Sequence, residues 1–416
     1  MLENIRSILY PAMHKFYNAL SSLERFEKGS NFFDNIGHLD NFFSEYRNIT
    51  FVLQKSLAKT EHMPLYERLR DKYLVNDVGK WFVDKRNSVL KQKPFDLEKR
   101  IMIKIYTGED IFSLPELVYT IENDENYSSV IESLRSSFLE LGEVEIFFSA
   151  EFTFYERGSQ EDLYDNFILG ITQMKLLLAE MRKELNEDCE LSKKLEKKIE
   201  DLNFYRVPKD FLLVDDYTFN CKHETFERAS RSALSFGTNN PKGSIKFLDK
   251  FSTDGDIFHK FELMHITIMQ LQETLMPTIM LIFNDDTFEI NSFHSSIRTT
   301  VYRKFNEIAN RIEKENITGV FFVTEMQVYD TLEVKHLDSH DRMKHVQKET
   351  LAFFMIDKEL KINYHSYDIE KIKDFAYVAL VMNSESNQNV LPAFMNPLKL
   401  EFKRLLEVAD TDKNAT

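Results

Sequence analysis

Over the first hundred positions the apolar residues recur every three or four places. Leu39, Phe42, Phe43, Tyr46, Ile49, Val52 and Leu53 form one series, and Leu65, Leu69, Tyr73 and Leu74 form another after Pro64. Such spacing lays apolar side chains along one face of a helix. A further helix is expected over 79–93, ending where Pro94 disfavours helical geometry at Lys93. Phe82, Arg86 and Leu90 share a stripe on it that is expected to face the core or a partner. Residues 1–106 therefore predict an all-α bundle, left through a short alternating strand at 101–106.

The stretch 107–235 continues mainly helical. Residues 127–141 read as a helix stopped at Gly142, whereas 143–156 suit either a strand or more helix. Ile168, Ile171, Met174, Leu178, Met181 and Leu185, then Leu191, Leu195, Ile199 and Leu202, predict long central helices. No clear period runs through 208–256, where FGTNNPKGS at 236–244 reads as a linker. From His259 the pattern is mixed: a helix, a strand, turn and strand through 276–293, a helix over 299–315, a strong strand at 317–330 and a hairpin turning at Asp357 and Lys358. The expected fold is α+β, with a bundle at 1–106, an acidic and mainly helical region at 107–235, and a mixed α/β layer at 245–416 whose sheet is covered on one face.

Charge changes the picture by segment rather than in total. The chain of 416 residues carries a net charge of -15, which argues against nucleic-acid binding over its whole surface. Yet residues 1–106 hold 18 Lys and Arg against 13 Asp and Glu, while residues 107–166 hold 2 against 15. A polyanion site is therefore expected in the bundle. Cys189 and Cys221 stand outside any CxxC or Cys/His motif, so a reducing, cytoplasmic setting is expected. The first residues, with Glu3 and Pro11, lack the pattern of a secretory signal, and no apolar run approaches the ~20 residues of a membrane span.

Candidate chemistry centres on Asp84, Lys85, Arg86 and Asn87. Set on a helix of a small basic bundle, this D-K-R-N phrase resembles the HEPN family of helical nucleic-acid-associated domains over residues 30–106. Members of that family place a His four to six residues after an Arg followed by Asn, Asp or His. Here those positions carry Lys91, Gln92 and Lys93. In an active member the arginine would hold a phosphate while the imidazole moves protons; lysine, mostly protonated, binds phosphate but is a poor base. The resemblance thus implies a nucleic-acid-binding or scaffolding protein of a bacterial defence or toxin-type system. It also implies a homodimer through the motif helix, or a partner protein, with RNA or DNA held by Arg86, Asn87, Lys91 and Lys93. Arg47 and Asn48 repeat the R-N pair on the preceding helix and would join the same cleft.

Three other readings stay open. Arg86 and Asn87 with a lysine could serve a ribonuclease, or Arg86 could be a buried arginine answered by Asp84, Asp40 or Glu45 for the sake of the fold. His336 and His340 are four apart, as are Asp341 and His345, so a helix would set each pair on one face at the reach of a metal-dependent hydrolase. That segment has no HExxH and no apolar shell, so the expectation is a solvated connection with no metal and no cofactor. Glu325 with Asp285 and Asp286 is a further acidic set, although aspartates also suit a turn.

Overall fold

A computed structural model of the chain describes residues 7–28, 32–106, 117–121, 127–202, 204, 213–229, 242–272, 274–293, 296–329, 334, 336–371, 378–382 and 391–415. They form two compact units, neither of them a continuous segment: 1–103, 117–133 and 151–214 make the first, and 104–116, 134–150 and 215–416 the second. The expected boundary at 106/107 and most of the expected linker at 236–244 lie outside the described residues.

The first unit carries the helices of the N-terminal part together with the central helices. It contains α1 (Tyr10–Lys28), α2 (Phe32–Leu57), α3 (Met63–Tyr73), α4 (Asp77–Lys91), α5 (Tyr127–Ser133), α7 (Leu163–Leu185) and α8 (Glu190–Glu200). Local signals set the ends of these helices. Asn76 caps α4 by accepting the Gly79 N–H at 2.9 Å, and Asp77 in the first turn complements the positive end of the helix dipole. Asp162 caps α7, and Asn186 ends it in the left-handed conformation at φ 49°. The strands β1 (Leu97–Tyr106) and β2 (Leu117–Ile121) pair antiparallel, with Ile101 opposite Tyr119.

Aromatic packing joins α2, α4 and α7. Phe42 meets Phe167 edge-on at 5.1 Å and Tyr46 stacks on Phe82 at 4.1 Å, while the Tyr46 hydroxyl donates to the Gly170 carbonyl at 2.8 Å. Gly170 is required by this packing, because a Cβ there would stand 2.1 Å from the Phe82 ring. The α4 stripe departs from expectation along its length. Phe82 is buried and Arg86 half-buried, but Leu90 is 51% exposed. The core lies beneath the first half of the helix only, so the last turn meets solvent.

The second unit contains α6 (Arg135–Glu140), after which Gly142 turns the chain at φ 70°. The ambiguous stretch that follows is the strand β3 (Glu145–Glu156), of which 145–150 belong to this unit and 151–156 to the first. Within 208–256, where no period was legible, lie β4 (Val214–Asn220), β5 (Thr225–Arg228) and β6 (Gly243–Ser244). The unit continues with α9 (Ile257–Gln272), β7 (Thr278–Phe283), β8 (Thr287–Ser292), α10 (Arg298–Glu315), β9 (Ile317–Tyr329), β10 (Val346–Asp357), β11 (Ile362–Lys371), β12 (Val378–Met382) and α11 (Asn396–Ala415).

Seven strands make an antiparallel sheet in the order β12-β11-β10-β9-β7-β8-β6. This sheet is covered on both faces, not on one as expected. Phe305, Ile308 and Ile312 of α10 and Leu398 and Phe402 of α11 pack with Phe322, Ala352, Phe354 and Ile356. Phe258, Phe261 and Met264 of α9 pack with Phe321, Val323, Leu351 and Phe353, the alternate residues of the same strands. Such strands read as unbroken apolar runs because neither side meets water. A buried pair, Arg303 on α10 and Asp216 on β4, is held by two parallel hydrogen bonds of 2.7 and 3.1 Å. Among the described residues no helix is long and apolar enough to cross a membrane.

Candidate nucleic-acid interface

The helical unit gathers cations where α2, α3 and α4 converge. Arg47 and Phe51 are one turn apart on α2, and the Arg47 guanidinium carbon stands 4.2 Å above the centre of the Phe51 ring. Arg86 reaches the same ring from α4 at 5.6 Å. Phe51 is 41% exposed, so an aromatic ring is offered to solvent beside two guanidinium groups. A cavity of about 520 Å³ opens beside them, bounded by Arg47, Thr50, Arg70, Lys80 and Asp77 over a floor that includes Phe82 and Met174.

Hydrogen bonding leaves this cationic group short of negative charge. Arg70 is answered by Asp71, whose carboxylate accepts at 2.9 and 2.6 Å. Arg47 donates to the Thr50 hydroxyl, and Arg86 Nη1 donates to Asn87 Oδ1 at 3.2 Å; both partners are neutral. The Nε of Arg86 is buried without a hydrogen-bond partner. The three carboxylates that could have neutralised Arg86 are placed otherwise. Asp40 accepts the Phe95 N–H at 3.1 Å, Glu45 is taken by Lys15, Asn18 and Asn48, and Asp84 is exposed with no ion pair to Arg86 among the described residues. Burial lowers the Arg47 pKa from the usual arginine value and the nearby Arg86 and Arg70 lower it further, against an opposite pull from Tyr66.

Of the residues picked from sequence, Arg47, Arg86 and Asn87 thus come together, and the other three do not join them. Asn48 points to Glu45 at 3.2 Å, Lys93 faces Asp96 at 3.3 Å, and Lys91 is exposed in the last turn of α4. Phe51 and Arg70 were missed. Phe51 carried a signal, its i+4 spacing from Arg47; the position of Arg70 depends on how α3 packs.

The histidine-rich segment assembles differently from its spacing. His336, His340 and His345 are all exposed, and none belongs to the one group among the described residues whose donors converge. That group is His223, Asp338 and Asp341, with donor atoms within 4.8 Å of one another. Lys222 and Lys344 hold the two oxygens of Asp341 at 2.7 and 2.8 Å and keep its pKa far below the usual carboxylate range. With both oxygens already bound to ammonium groups, the cluster serves to tie the β4–β5 turn to the 338–345 segment. Asp285 accepts from Thr287 and so belongs to its hairpin turn, while Glu325 accepts the Leu275 N–H at 2.6 Å.

Comparison with protein-family models, curated proteins and solved structures finds no match for this chain.

Proposed function

We propose that the helical unit binds single-stranded nucleic acid on the face formed by Arg47, Phe51 and Arg86. The observation that carries this is the pair of guanidinium groups over one exposed ring, neither of them answered by a carboxylate among the described residues. Two cations held together in a half-buried setting raise the free energy of the empty site, and a phosphate returns it. The ring supplies a stacking surface for a base, the usual sequence-tolerant anchor for single strands. Residues 1–106, which carry α2, α3 and α4, hold 18 Lys and Arg against 13 Asp and Glu, a local positive balance that favours a polyanion at this face although the other segments of the unit are acidic.

The proposal is of binding rather than cleavage. Helix α4 carries no histidine, and the lysines at its end suit phosphate contact better than proton abstraction. The defence or toxin-type setting and a homodimer through the motif helix are proposed on the HEPN resemblance alone.

Fluorescence anisotropy with labelled single-stranded RNA, single-stranded DNA and duplex DNA tests the reading. A single strand is expected to bind more tightly than duplex, with affinity falling as salt rises and falling again when Arg47 and Arg86 are both changed to Ala. Absence of binding, or binding indifferent to salt and to both substitutions, would refute it.

A further inference from the structure

The second unit holds a larger cavity that plays no part in the interface above. It measures about 790 Å³ and lies beside the start of α10. That is the size of cavities that enclose small organic ligands, typically about 300–1,000 Å³. Its lining combines cationic, aromatic and acidic side chains. Arg298, the first residue of α10, and Arg342 both line it. Arg342 spends its Nε on the Leu337 carbonyl at 2.6 Å, and neither arginine has an ion pair among the described residues. Arg298 opens an 18-residue helix whose N-cap, Ile297, has no side chain able to accept a hydrogen bond from the backbone.

Two aromatic rings, Tyr302 and Phe394, and two carboxylates, Glu325 and Glu349, are also part of the lining. Tyr302 is held from behind by Phe147, stacked at 5.2 Å, and meets Phe394 edge-on at 6.0 Å. Glu325 commits one oxygen to the Leu275 N–H at 2.6 Å and keeps the other for a donor. An inorganic anion would satisfy the arginines but leave most of the volume and both rings unused. An aliphatic acid would leave the rings unused as well.

We propose that this cavity binds a nucleoside monophosphate, with its phosphate between Arg298 and Arg342, its base against Tyr302 and Phe394, and its hydroxyl or amino donors toward Glu325. The ligand class follows from the chemistries that the lining brings to one cavity: two arginines, two aromatic rings and carboxylate acceptors.

Isothermal titration of the full chain with AMP, GMP, CMP and UMP provides the test, with inorganic phosphate and tryptophan as comparators. At least one nucleotide is expected to bind. The double substitution Arg298→Ala with Arg342→Ala should weaken it tenfold or more, whereas Arg47→Ala with Arg86→Ala should leave it unchanged, which separates this site from the interface of the helical unit. Arg298→Ala alone, at an exposed helix start, is expected to weaken binding several-fold with an unchanged far-ultraviolet circular dichroism spectrum. The proposal is overturned if no nucleotide binds at millimolar concentration, if the Arg298 and Arg342 changes have no effect, or if inorganic phosphate or tryptophan binds as tightly as the best nucleotide.

Discussion

Arg47 and Arg86 stand over the same ring: their guanidinium carbons lie 4.2 and 5.6 Å from the centre of Phe51. An arginine buried to serve the fold is matched by a carboxylate, and removing one partner of such a pair costs about 3–5 kcal/mol. Arg86 has only the Asn87 amide oxygen, with its Nε unpartnered. Arg86→Ala is therefore expected to change the unfolding free energy by less than about 1 kcal/mol, or to raise it. Urea denaturation at neutral pH measures this. A loss of 3 kcal/mol or more would return Arg86 to a structural role.

Phe51 separates stacking from charge. Its replacement by Ala removes the ring and no cation, so nucleic-acid affinity should fall by about 1–3 kcal/mol, or roughly 5- to 150-fold. The slope of affinity against salt should stay as it was, while Arg47→Ala should reduce that slope by about one. Anisotropy titrations across a salt series distinguish the two. Equal loss of slope in both variants would show that the ring acts only by positioning the arginines.

Gly170 lets the Phe82 ring lie against α7, and an added Cβ would come 2.1 Å from it. Phe82 in turn floors the cavity beside Arg47. Overpacking of this kind costs about 1–3 kcal/mol, so Gly170→Ala should lower the thermal midpoint by several degrees and weaken nucleic-acid binding as well. Differential scanning calorimetry reads the first effect. An unchanged midpoint would mean that the aromatic core of α2, α4 and α7 is looser than this geometry requires.

His265 on α9 is buried, with Nδ1 2.9 Å from the Phe261 carbonyl, and burial pushes its pKa down to about 4. The unfolded chain then binds the proton more readily between pH 6.5 and 4, so stability from this group is full above pH 6.5 and is lost as pH falls toward 4. The shift corresponds to roughly 3 kcal/mol. Glu262 works the other way: burial raises its pKa against the pull of His365, which lies 2.6 Å away. Comparison of the chain with His265→Gln isolates the histidine. Urea midpoints that fall between pH 7 and 4.5 in the parent but less in the variant are the expected outcome; parallel falls would refute the assignment.

Much of the architecture was legible one residue at a time. The three- and four-residue spacing around Phe42 and Tyr46, the Pro64 and Pro94 punctuation, and the apolar runs of β7, β9 and β10 each register locally, because periodicity and φ restrictions act over a single turn or strand. The fold class and most of the α2, α4, α7, α9 and α10 positions follow from such signals. The second cover on the sheet did not, although unbroken runs such as TIMLIF at 278–283 carry that meaning once a helix is known to lie on each side.

The candidate interface divides in the same way. Composition located the basic segment, and motif spacing singled out Arg47 and Arg86 on separate helices. Whether a carboxylate would answer Arg86 was open, since Asp84, Asp40 and Glu45 were all close enough in sequence or helix phase to do so. Packing turned Asp40 to the Phe95 amide and Glu45 to Lys15, and that left the two arginines to share Phe51. Helix formation is decided by neighbours a few residues away, but the pairing of charges depends on distances between helices, and those are set only when the whole aromatic core closes.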